Sequence, residues 1–95
     1  MLRITVTETG LEETWLLQGR MTKNSVAELV TSWKAPLPGL RRVVDLDGVT
    51  SIDRTGEQVL SMMVHDGARF VASGVYTKHL LEQLQAAEGN EKLLD

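Results

Sequence analysis

The chain has 95 residues, with 13 acidic and 10 basic side chains, a net charge of −3 and no cysteine. That length fits one domain with a modest core, the acidic balance disfavours nonspecific binding to nucleic acid, which needs a basic footprint, and the missing thiols exclude disulfides, thiolate metal sites and a cysteine nucleophile. A hydrophobic share of 42% argues against disorder, and with Trp15, Trp33, Phe70 and Tyr76 as its only aromatic residues the core must be mostly aliphatic.

Leu2, Ile4 and Val6 alternate with Arg3, Thr5 and Thr7, the period of a half-buried strand. Thr9-Gly10 and residues 11–13 read as a turn. Residues 14–18 read as a second strand, with Trp15 and Leu17 on one face and Leu16 on the other. Val26, Leu29, Val30 and Trp33 then form one apolar stripe at helical spacing, with Asn24 or Ser25 as candidate cap. The helix is expected to stop before Pro36, and residues 35–39 to form a turn. Val43, Val44 and Leu46, broken by Asp45, read as a central strand, and Gly48 with Thr50-Ser51 as the loop after it.

A second helix is expected from near Asp53 to Gly67, with Val59, Leu60, Met63 and Val64 on its inner face and Gly67 as the left-handed residue that ends it. Phe70, Val71 and Ala72 predict another short strand, closed by Ser73-Gly74. Thr77 is the candidate cap of a third helix that buries Leu80, Leu81 and Leu84 and stops at Gly89-Asn90, with residues 89–95 as a frayed tail. The expected order is ββαβαβα: one α/β domain over residues 1–95, with a small mixed sheet of about four strands and three helices packed on it. Residues 1–6 lack the charged-then-apolar order of a signal peptide. No apolar run approaches the roughly 18 residues of a membrane span. The expected setting is therefore cytoplasmic, without membrane insertion.

The stretch from Arg42 to Gly74 carries a more specific pattern. The apolar strand Val43-Val44-Asp45-Leu46 leads through Asp47-Gly48-Val49-Thr50-Ser51-Ile52 to Asp53-Arg54-Thr55-Gly56 at a helix start, and a second strand follows Gly67. This resembles the signature of STAS domains, the anti-sigma factor antagonist family, and the preceding ββα, with Gly19 closing its second strand, is similar to the amino-terminal half of that family. The resemblance implies a non-catalytic, bacterial regulatory module without a cofactor. Its partner would be an anti-sigma factor of the serine-kinase type, contacted through Asp53, Arg54, Thr55, Gly56, Glu57 and Gln58, with Met62 extending the surface and residues 47–51 framing it. In partner-switching members the Ser or Thr directly after the Asp is phosphorylated. Here that position is Arg54, which cannot accept phosphate, and Thr55 is the remaining candidate for phosphorylation. Loss of the usual acceptor also suits a second reading: an unswitched cytosolic accessory subunit of an ABC-type transporter, bound to the transporter ATPase.

The residues of this loop have plainer physical roles as well. Asp53 is placed to cap the helix, where negative charge suits the dipole. Gly56 in the first turn implies a close approach, either of a partner or of the neighbouring strand. Arg54 sits unfavourably at the positive end of the dipole, which a salt bridge to Asp53, Asp47 or a partner's acid would offset. Met62 falls beside the apolar stripe, where it either flanks the core or offers an adaptable contact. Asp45, Asp47 and Asp53 near one strand end also suggest a receiver-like, Mg²⁺-dependent phosphoacceptor, although the chain is short for that fold. Ser73-Gly74 could offer backbone amides to an anion. His65 and His79 have no acid and nucleophile at triad spacing, and the glycines form no nucleotide fingerprint.

Overall fold

The amino-terminal alternation folds as a hairpin in the computed structural model, which describes residues 1–34 and 41–94, the side chains of 87–94 excepted. Strands β1 (Leu2–Thr9) and β2 (Glu12–Met21) pair antiparallel, from Leu2 opposite Gly19 to Thr9 opposite Glu12. Gly10 turns the chain at φ +61, a left-handed conformation that suits glycine. Glu12 and Glu13, expected in the turn, are therefore already strand. Helix α1 (Val26–Lys34) buries Val26, Leu29 and Trp33, and the stop expected before Pro36 lies outside the described residues. Its start is organised by Thr22, whose carbonyl accepts the amides of Ser25 and Val26 at 2.8 and 3.0 Å; of the two expected caps, the Ser25 hydroxyl meets that of Thr22 at 3.2 Å, and among the described residues neither it nor Asn24 bonds a helix amide through its side chain. The turn expected at residues 35–39 lies outside the described residues.

Strand β3 (Arg41–Ile52) runs parallel to β2 for 12 residues and absorbs the loop expected after Leu46. Two irregularities in β2, at Leu16/Gln18 and Gly19/Arg20, keep the strands paired out to Met21 opposite Ile52. Gly48 is there for space: a β-carbon on it would meet Gln18 Cγ at 2.7 Å. Helix α2 (Arg54–His65) buries Gly56, Val59, Leu60 and Met63, and Gly67 follows it at φ +86, the left-handed ending that the sequence predicts. Strand β4 (Arg69–Val71) pairs parallel with β3 and excludes Ala72. Helix α3 (Val75–Leu94) begins two residues before Thr77 and runs past Gly89-Asn90. The Lys78 amide bonds the Gly74 carbonyl, so Thr77 lies inside the first turn and is not the cap.

The sheet order is β1-β2-β3-β4, and the chain order is the expected ββαβαβα. Trp15, Leu17, Met21, Val44 and Leu46 of the sheet form one buried cluster with Val26, Leu29 and Trp33 of α1, Val59, Leu60 and Met63 of α2, and Leu80 and Leu81 of α3. No helix among the described residues is long and apolar enough to cross a membrane.

One charged group lies inside. Glu13 is fully buried, and Arg42, its neighbour across β2 and β3, places Nε 3.2 Å from Glu13 Oε1. Trp15 Nε1 donates to the same oxygen. The Arg42 guanidinium lies 4.4 Å from the Trp33 ring centre, and its Nη1 donates to the Trp33 carbonyl at 2.7 Å. Trp33 Nε1 in turn donates to Asp66 Oδ2 at 2.9 Å. Burial of a carboxylate is costly unless it is paired; here the pair also ties two strands to the carboxyl ends of α1 and α2. Glu13 continues the alternation of Trp15 and Leu17, which is the signal that could have placed it in the interior.

Candidate functional site

The start of α2 is built on the carbonyl of Met21, the last residue of β2. That carbonyl accepts the Asp53 amide at 3.1 Å. It also lies 2.3 Å from where a β-carbon on Gly56 would sit, so only glycine lets the first turn approach the strand this closely. The crowding comes from inside the fold, and Gly56 is buried; it seats the helix and has no side chain to present.

Asp53 is extended at φ −91, ψ −175, and both of its carboxylate oxygens are engaged. Oδ1 accepts the Gly56 amide at 2.8 Å, capping the helix as predicted. Oδ2 accepts the Lys23 amide at 2.9 Å, joining the start of α2 to the β2–α1 connection. The Gly56 amide, with that of Lys23, holds the Asp53 carboxyl below the ordinary 3.8. Around this seat the side chains divide by exposure. Arg54 and Gln58 are exposed, and Thr55 and Glu57 are half-buried. Met62, also half-buried, packs against the core. The salt bridge considered for Arg54 is not formed: among the described residues it pairs with neither Asp53 nor Asp47, and its charge is turned to solvent.

The three aspartates of the receiver-like reading have separate tasks. Asp45 Oδ1 accepts the Asp47 amide at 3.0 Å. Asp47 Oδ1 accepts the Ser73 amide at 2.6 Å and the Ser73 hydroxyl at 2.9 Å, and these bonds, the amide first, lower its pKa from 3.8, with Lys78 nearby adding to the effect. Asp53 caps α2. Among the described residues no three His, Asp or Glu side chains converge on a point that could hold a metal ion. The Ser73 amide that the sequence offered to an anion is taken by Asp47 of the same chain.

A four-stranded mixed sheet under three helices, with an aspartate-capped, glycine-seated helix start after the third strand, defines a STAS-like domain. A search of solved structures bears this out. The chain is similar to an antisigma-factor antagonist STAS domain from Rhodobacter sphaeroides, at 22% identity and a TM-score of 0.61, over 79% of this chain and 88% of that one. It is also similar to part of the solved structure of Mglu, at 21% identity and a TM-score of 0.59, over 74% of this chain and 19% of that much longer one. No family model and no curated protein matches the sequence.

Proposed function

We propose that this chain is a non-catalytic regulatory module of the cytoplasm that docks onto a protein partner through the start of α2, as an anti-sigma factor antagonist docks onto an anti-sigma factor of the serine-kinase type. The observation that carries this reading is a division of labour at one turn: Asp53 and Gly56 are consumed in fixing the backbone, while Arg54 and Gln58 stand exposed on it, with Thr55 and Glu57 beside them. A rigidly held patch with uncommitted polar side chains recognises a surface at little ordering cost. The small area suits a transient complex.

Arg54 at the customary acceptor position favours a second reading, a permanently bound accessory subunit of an ABC-type transporter. Affinity capture from the source cell, with mass spectrometry of the bound proteins and of Thr55, separates the two. The first reading expects a kinase-type anti-sigma factor, the second a transporter ATPase. In either case Arg54→Glu should abolish capture without lowering the unfolding midpoint, which the helix dipole should raise slightly. Full capture by Arg54→Glu and by a Gln58→Arg variant would remove the start of α2 as the contact.

A further inference from the structure

At the opposite end of α2 the amino ends of β3 and β4 border an open cleft of about 430 Å³, lined by Arg41, Arg42, Asp66, Gly67, Ala68 and Arg69. We propose that this cleft binds a small phosphorylated molecule with a polar body, such as a sugar phosphate.

Three of the chain's ten basic residues meet here, in a protein whose net charge is −3. Arg42 is committed to Glu13 and to the Trp33 carbonyl. Arg41 and Arg69 are exposed and make no ion pair among the described residues. Even Glu12, opposite Arg41 in the β2–β3 register, is not paired with it. Two uncommitted guanidinium groups on neighbouring strand ends supply planar forks of donors, the geometry that phosphate oxygens accept in pairs.

The described lining sets one carboxylate, that of Asp66, against three guanidinium groups. Asp66 Oδ2 takes the Trp33 indole N–H. The last carbonyls of α2 are bonded too: Met62 to the Asp66 amide, Met63 to that of Ala68, and Val64 to that of Gly67. This damps the negative end of the helix dipole, which would otherwise repel phosphate. The cleft volume lies within the roughly 300–1,000 Å³ of small-molecule sites and leaves space beyond the phosphate itself. Among the described residues Ala68 is the one apolar side chain of the lining, and the polar groups of Arg41, Asp66 and Arg69 around it suit a ligand with a polar body. The site is at the far end of α2 from the proposed docking turn, and neither proposal depends on the other.

The test is an amide NMR titration of the whole chain with glucosyl phosphate, inorganic phosphate and glucose in parallel. Saturable shifts at Arg41, Gly67, Ala68 and Arg69 are expected with glucosyl phosphate, weaker binding with phosphate alone, and none with glucose. Arg41→Ala with Arg69→Ala removes two charge-assisted contacts and should weaken binding roughly tenfold or more. Both side chains are exposed, and an otherwise unchanged spectrum will show that the variant folds. Arg54→Glu should bind glucosyl phosphate normally, which keeps a failure here distinct from a failure of the docking turn. Absence of saturation, equal binding by the double variant, equal binding of phosphate and glucosyl phosphate, or shifts centred on Gly56 would each overturn the proposal.

Discussion

A single added carbon separates the glycines of this chain by function. At Gly56 it would lie 2.3 Å from a backbone oxygen that is itself held in a hydrogen bond to Asp53. Gly56→Ala should therefore destabilise the fold by about 1–3 kcal/mol, despite the better helix propensity of alanine, and a lower urea midpoint at unchanged slope will report it. Glu13 and Arg42 pose a different problem at the same scale. Arg42→Ala would leave a buried carboxylate without its partner, at a cost of about 3–5 kcal/mol. Replacing both residues by methionine should cost much less, because the unpaired charge disappears with its partner. Equal losses in the single and double variants, measured by equilibrium unfolding, would refute that account. The capping role of Asp53 could be read from its place before a helical stripe. The interior position of Glu13 was signalled by its alternation with Trp15 and Leu17 but masked by the turn chemistry of Thr9-Gly10 just before it, and its pairing with Arg42 comes only from the cross-strand register.

At the scale of the element, α2 is fastened at both ends: by Asp53 and Gly56 where it begins, and through Asp66 to Trp33 where it stops. Gly67 ends it at φ +86 with nothing within 4 Å of where a β-carbon would sit. Gly67→Ala should thus cost about 1–2 kcal/mol from backbone strain alone, seen as a lower thermal midpoint with no change in the core. A neutral result would mean that the turn relaxes to another conformation. The helices were legible in the sequence because their apolar stripes repeat at a single period; their edges were less so. β3 runs through Gly48, Thr50 and Ser51, residues typical of loops, because irregularities in β2 keep the two backbones paired. Thr77 has the chemistry of a cap, but α3 had already started at Val75.

For the molecule as a whole, Asp47 in the middle of β3 and Asp53 just beyond its end should contribute to the acid limit. Asp47 and Asp53 both have folded pKa values below the ordinary 3.8, each first through a backbone amide, of Ser73 and of Gly56 respectively. A depressed folded value means that the unfolded chain takes up the proton first. The contribution to stability is complete above 3.8 and is lost as pH falls from there through the lower folded values. Urea unfolding from neutral pH down to about pH 3 should show that decline. Asp47→Asn and Asp53→Asn should each lower stability at neutral pH and flatten the acid slope. A slope identical to that of the unaltered chain would show that other carboxyls control it. The whole-chain order of elements was legible because each strand and helix has its own hydrophobic period. The cleft of arginines was not, because Arg41 and Arg69 lie far apart in the chain and meet only through parallel pairing.

The seat of Gly56 on the Met21 carbonyl also bears on how such a protein can diverge. The groups that hold the turn in place are a backbone oxygen, a missing side chain and one carboxylate, while the groups turned to solvent, Arg54 and Gln58, hold nothing in place. Selection can rewrite those outward positions without renegotiating the frame beneath them. Descendants of one scaffold could thereby change allegiance through a few codons while the architecture stays as it was.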